Sequence, residues 1–251
     1  MVDSKINNIK IIPKILMPLP DYDFDPTEVS IPWQACHARG WEVVISTEHG
    51  NIAQGDLHKL KGPLPGLLTA SLNARKAYQI MTSDLAYLHP IPYDEINPSL
   101  FDGLLLPGGD GLRMHQYLDN SVLRDKVLQF WQMGKLIGAI CHGVLVLART
   151  IDPISGHSIL YGRKVTAPPK SLDLAAYRFD AWLLKRGYIM YSSCVEDEVS
   201  AILARKEDLV HGPGMFSPFA CTDGNLVTSR WYLDAEIFAE KFVNTQQKRM
   251  E

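Results

Sequence analysis

Several things are scarce or missing in this sequence of 251 residues, and each absence narrows the function. No apolar run reaches the length a membrane helix needs, so no membrane partner is expected. The opening stretch MVDSKINNIKIIPKILMPLP lacks a signal peptide's unbroken apolar core and cleavage site, which points to the cytoplasm. A net charge of −3 leaves no polybasic face for nucleic acid or an anionic bilayer. Cysteine is sparse: Cys36, Cys141, Cys194 and Cys221 stand far apart, with no CxxC pair. That spacing suits reduced thiols and argues against a bridge between Cys194 and Cys221. His49, His58, His89 and Glu48 fall neither at i, i+4 nor close together, so no metal is expected; nor is any other cofactor, since PGGDG lacks the lysine and hydroxyl residue of a P-loop. His37 and His115 are isolated and read as surface or satisfied helix residues. Repeats, low-complexity tracts and clear linkers are absent too, which predicts one domain over 1–251, with a Gly/Pro-rich surface excursion near 51–67.

What remains is an alternation of short β-type runs and helical patterns. Strands are expected at 14–20, 41–48, 101–109 and 136–140, and another after the turn that opens DGNLVTSRW (223–231). Helices are expected at 25–40, about 68–86, from Asn120 or Ser121 onward, after Cys141, and from a Ser171 cap with Leu172, Ala175, Ala176, Phe179 and Leu183 on one face. A last helix carries Ala235, Phe238, Ala239 and Phe242 at i, i+3, i+4 and i+7. The fold class that follows is α/β: a mostly parallel central sheet flanked by helices on both faces.

One stretch carries chemistry. In LIGAICHGVLVLAR (136–149) a buried strand meets a helix at Ala139-Ile140-Cys141-His142-Gly143, the small-x-nucleophile-x-small pattern of a nucleophile elbow. Small residues two positions either side let backbone approach the tight turn. A cysteine at that tip sits at a helix N-terminus, where free amides and the dipole favour a thiolate and should lower its pKa. The His142 amide is a natural oxyanion donor, and the ring beside the sulfur is a candidate base. A second donor is expected from LLLPGGDGLR (104–113), at Gly109. Glu28 has a purely local reading: in Asp25-Pro26-Thr27-Glu28, Asp25 would cap the first helix, Pro26 would open it and Glu28 would reach back.

GLLLPGGDG, GAICHGVLVLA, YGRKVTA and DGNLVTSR, in this order and spacing, resemble the DJ-1/PfpI (ThiJ/PfpI) superfamily, whose flavodoxin-like fold is similar to class I glutamine amidotransferases. The resemblance runs from about residue 13 to 243 and looks closest to the larger members of the heat-shock-protein-31 and glyoxalase III type. It implies a glutamate on the first helix that touches the nucleophilic sulfur, here Glu28, protonated and hydrogen-bonded to a thiolate, and it favours that role over the cap. It also implies a homodimer. Two departures weaken other activities. The late His-x-Glu pair of amidotransferases is missing, since His157 precedes Ser158-Ile159 and His211 precedes Gly212-Pro213. Arg113 stands where the peptidase-like branch keeps an acid, leaving Asp110 or Asp173 as third member of a triad. The expectation is a cysteine-dependent enzyme on a small carbonyl or acyl compound, converting methylglyoxal to lactate or hydrolysing a related adduct. Its rivals are a redox-sensing, stress-protective protein whose Cys141 is oxidised to sulfinate, and an amidotransferase or peptidase.

Overall fold

The computed structural model describes residues 12–62, 65–66, 69–175 and 193–251. Its centre is a seven-stranded sheet built from β1 (Lys14–Pro18), β3 (Glu42–Thr47), β5 (Ile91–Pro92), β6 (Gly103–Leu106), β7 (Leu136–Ile140), β8 (Ala220–Asp223) and β9 (Leu226–Ser229). The spatial order is β5-β3-β1-β6-β7-β9-β8. Every neighbouring pair is parallel except the β8–β9 hairpin. The strand sequences explain the burial: KILMP, GLLL and LIGAI are apolar almost throughout because helices cover both faces. A second, two-stranded pairing joins β2 (Tyr22–Phe24) to β4 (Gln54–Gly55).

The helices follow their local signals. Asp25 caps α1 (Pro26–His37) by accepting from the Thr27 and Glu28 amides. Asn120 caps α6 (Ser121–Gln132), whose buried residues are Leu123, Val127 and Phe130. The helix expected over about 68–86 is two: α3 (Leu72–Met81), capped by Ser71, and α4 (Leu85–Leu88), capped by Asp84. A short α2 (Leu57–Lys61) and α5 (His115–Leu118) precede α7 (Gly143–Ala148), which leaves the elbow. Beyond them, residues 170–175 are helical. Ala176, Phe179 and Leu183 of the face expected there lie outside the described residues. Val195–Ile202 and Ala235–Met250 are the last helices among the described residues, and Phe242 and Phe238 of the final one fill the space over Gly138.

In chain terms the order β3-β1-β6-β7-β9 is the 2-1-3-4-5 of a doubly wound sheet, with the direction of winding reversing between β1 and β6. Ligand crevices form outside the carboxyl ends of strands at such a switch point. The segments following β1, β6 and β7 carry Glu28, Gly108 and Cys141.

Candidate active site

At the end of β7 the chain turns hard. Cys141 has φ +57°, a left-handed conformation that a side chain adopts only at a cost. The turn is held on both sides: the Cys141 amide donates to Ser229 O at 3.1 Å, and the Val144 amide to Cys141 O at 3.1 Å. The small residue after it is a steric necessity, because a Cβ on Gly143 would lie 2.1 Å from Leu106 O. Cys141 is partly exposed rather than sealed in the core. His142 is the first residue before α7, with no side chain capping that helix end, and the Leu145 amide folds back on its carbonyl at 2.9 Å.

Two side chains crowd the sulfur. His142 Nδ1 lies 3.4 Å from Sγ. The Glu28 carboxyl, on a residue 2% exposed, hydrogen-bonds the thiol. Its Oε2 also accepts the Gly108 amide at 3.1 Å. Asp25 caps the helix and Pro26 opens it, as the local reading has it, yet Glu28 does not reach back; it faces Gly108 and Cys141. Gly108 itself sits against the turn: a Cβ there would be 2.7 Å from His142 N and 2.8 Å from Cys141 Cβ. Gly109 adopts φ +153° and packs on Asp23–Asp25, where a Cβ would meet Asp23 O at 2.8 Å. The loop is tied down by the Asp25 amide, which donates to Gly108 O at 2.9 Å.

Protonation departs from the sequence expectation. The elbow predicts a lowered thiol pKa, but burial above all pushes Cys141 well above its ordinary value, with Glu28 adding to the rise wherever it is ionised. The α7 amides therefore work against desolvation rather than on an open surface. Burial, then Asp25, likewise raises Glu28, so its carboxyl holds a proton. His142 is pushed down to about 4 by burial and is neutral at physiological pH.

The two candidate third acids take different places. Asp110 bonds Lys59 at 2.8 Å; burial would raise it, but the ammonium holds it below the usual carboxylate range. Asp173 accepts the Val195 amide at 3.0 Å, and burial raises it to about 6. Among the described residues neither hydrogen-bonds the His142 ring. Asp110 acts on the ring through its charge and Asp173 on the thiol. Arg113 is turned away, bonded to Asp23 at 2.8 Å over the Tyr22 ring. His115 pairs with Asp119, and His37 stacks on Trp33. Arg163 binds Asp223 and covers the Trp131 ring, while buried Arg230 gathers the carbonyls of His211, Gly214 and Ser217. Among the described residues no three or more His, Cys, Asp or Glu side chains are grouped to hold a metal, and no helix is long and apolar enough to cross a membrane.

Lys59 is the participant the sequence reading missed. It lies in the stretch taken as a surface excursion, yet its Nζ bonds Asp25 at 3.0 Å as well as Asp110. Asp56 before it is the cap of a short helix, a local signal that a structured turn begins there.

The family model described as ThiJ/PfpI family-like matches residues 19–213. The chain belongs to this family. An uncharacterised protein of Schizosaccharomyces pombe is 23% identical over 176 residues, 67% of this chain and 63% of that protein. Protein DJ-1 homolog D of Arabidopsis thaliana is 40% identical over 76 residues, 30% of this chain and 17% of that one. The chain thus spans less than two thirds of the length of both. Glyoxalase 3 of Candida albicans is 21% identical over 199 residues, 78% of each chain. The crystal structure of glyoxalase III from that organism superposes with a TM-score of 0.70 at 18% identity, over 92% of this chain and 96% of that one, which establishes the shared fold.

Proposed function

We propose that the protein is a cysteine-dependent enzyme of glyoxalase III type that converts methylglyoxal, or a closely similar neutral 2-oxoaldehyde, to the hydroxy acid. The single observation that carries this is the convergence on Cys141 Sγ of the His142 Nδ1 at 3.4 Å and the buried Glu28 carboxyl. The similarity to glyoxalase 3 supports the choice of substrate.

A thiol pushed up in pKa has to lose its proton as it reacts, and the neutral His142 ring is placed to take it. Sγ adds to the aldehyde carbon, the carbonyl π pair moves to oxygen, and the amides of His142 and Gly109 hold the oxyanion. Glu28 protonates that oxygen and becomes a carboxylate. It then removes the hydrogen on the former aldehyde carbon and returns a proton to the neighbouring carbon. Meanwhile the hydroxyl proton of the first carbon passes to the neighbouring oxygen, and the proton held by His142 restores the Glu28 carboxyl. The product of that shift is a lactoyl thioester. Water cleaves it to lactate and the free thiol, so methylglyoxal and water are consumed without any oxidant. We place this chemistry in the cytoplasm and on a homodimer.

The redox-sensor alternative requires a standing thiolate for oxidation, which burial and the nearby acids oppose. Amidotransferase or peptidase chemistry requires an oriented imidazole, and His142 has no carboxylate on its ring among the described residues. The test is lactate formation from methylglyoxal by the wild type, Cys141→Ala and Glu28→Ala. Activity confined to the wild type is expected; turnover that survives loss of the thiol overturns the proposal.

A further inference from the structure

Around Glu28 lie two more carboxyls, Asp25 with a side chain 3% exposed and Asp110 with one 30% exposed, and a single ammonium sits between them. Three acids and one cation share one partly buried volume, so the balance of charge there bears on how readily the sulfur ionises. The ammonium reaches this place through backbone pairing. Phe24 of β2 registers with Gly55 of β4, the Asp56 amide donates to Phe24 O at 2.9 Å, and the Gly55 amide donates to the Tyr78 hydroxyl at 3.0 Å. From the Asp56 cap, α2 then carries Lys59 over the start of α1, and Lys59 O accepts the Ala70 amide at 2.9 Å. A flexible surface lysine would need none of this.

We propose that Lys59 is a positioning residue for the Glu28–Cys141 pair: by bridging Asp25 and Asp110, its ammonium holds those two carboxyls together beside the pair and sets a positive charge where the thiol must lose its proton. The geometry makes the assignment specific, since each acid meets Nζ within 3.0 Å while Glu28 is bound elsewhere, to Gly108 and the thiol. Burial on its own would lower the Lys59 pKa, but Asp110 and Asp25 raise it well above its ordinary value, so the cation persists through the working pH range. Facing the thiol are Glu28 from α1, Lys59 from α2, Asp110 from the loop after β6, His142 from its own turn and Asp173 from the helical turn at 170–175. Lys59 is the one cation among them. The inference rests on Cys141 being the reactive group and deepens the proposed function.

The test reads the thiol without relying on turnover: the rate of carbamidomethylation of Cys141 by iodoacetamide against pH, followed by intact mass. Lys59→Met should move the titration of that rate upward by about one pH unit, making alkylation about tenfold slower at neutral pH, and Lys59→Arg should restore it to within about threefold. Asp110→Asn removes one negative charge from the same cluster and should move the titration the other way. With methylglyoxal, the Lys59→Met loss should fall on kcat rather than KM. A purely structural ion pair predicts lower thermal stability with an unchanged alkylation profile, and that result overturns the proposal. If Lys59→Met does not fold, an unmoved or upward-shifted profile in Asp110→Asn overturns it equally. Should the wild type fail to turn over methylglyoxal, the alkylation profiles still decide the role of Lys59.

Discussion

The turn at 139–143 and the strap at 54–62 both deliver a charged or reactive group to one crevice, but they carry their instructions differently. The turn is self-contained. An apolar strand, a small residue, a cysteine, a second small residue and an apolar helix lie within a dozen positions, and the close contact that demands Gly143 is with the adjacent parallel strand's end. The strap has almost no signal of its own. Two β4 residues and a five-residue helix are held because β2, some thirty positions earlier, offers an edge, and Lys59 matters only because Asp25 and Asp110 await it. Local stereochemistry placed the nucleophile; long-range charge complementarity placed its surroundings.

The sharpest way to break this contrast is at the sulfur. If the elbow holds the nucleophile, Cys141→Ala should lower kcat/KM for methylglyoxal by about 10⁴-fold or more while leaving the circular dichroism spectrum intact. A variant that keeps a tenth of the activity would make the strap and its acids, not the turn, the seat of catalysis.

Next comes the steric claim. Gly143→Ala forces a Cβ to within 2.1 Å of the backbone oxygen of Leu106, so it should cost about 3 kcal/mol or more in urea unfolding, or prevent folding. The matched control is Gly134→Ala, at φ +65° with nothing within 4 Å of the added Cβ, which should cost only about 1 kcal/mol of backbone strain. Equal losses would mean that the backbone around Leu106 yields to the added methyl and the contact does not demand glycine.

Glu28→Gln tests where the two regions meet. The new side-chain amide can still accept the Gly108 N–H through its oxygen but cannot supply a carboxyl proton, so the fold should persist and kcat should fall by about 10²–10³-fold. A variant with undiminished kcat would remove the carboxyl from the proton transfers.

These contrasts also explain what could be read in advance. The central strands and the elbow were legible because β1, β6 and β7 are continuous apolar runs and the capping residues Asp25 and Asn120 act within their own turns. Strand β8 was not, because Ala-Cys-Thr-Asp has no apolar run and pairs only through its hairpin with β9. A helix N-terminus at Cys141 was evident, but the direction of the thiol's shift depends on how much water the neighbours remove, which spacing does not encode. Asp110 and Asp173 could not be ranked for the same reason: one is claimed by Lys59 and the other by the Val195 amide, partners 51 and 22 positions away.

The smallest effect separates the turn's own titration from that of its surroundings. His142 is held down at about 4 by burial, whereas an exposed or unfolded histidine titrates near 6.5. Below pH 6.5 the unfolded chain takes up a proton the folded one refuses, so stability present above 6.5 is lost as pH falls toward 4, by about 3 kcal/mol at most. Asp173 works in the opposite sense over the overlapping window: raised to about 6 from an unfolded value near 4, it favours the folded state at low pH, a contribution lost as pH rises through 6. The wild-type slope between pH 6.5 and 4 should therefore carry the difference of the two, on top of contributions from Glu28 and Asp110 that all three proteins share. Relative to the wild type, the urea midpoint of His142→Asn should hold better or rise on acidification, while that of Asp173→Asn should fall more steeply. Curves of equal slope in all three proteins would mean that the imidazole reaches water freely, and with that the neutral base assigned to His142 would lose its physical cause.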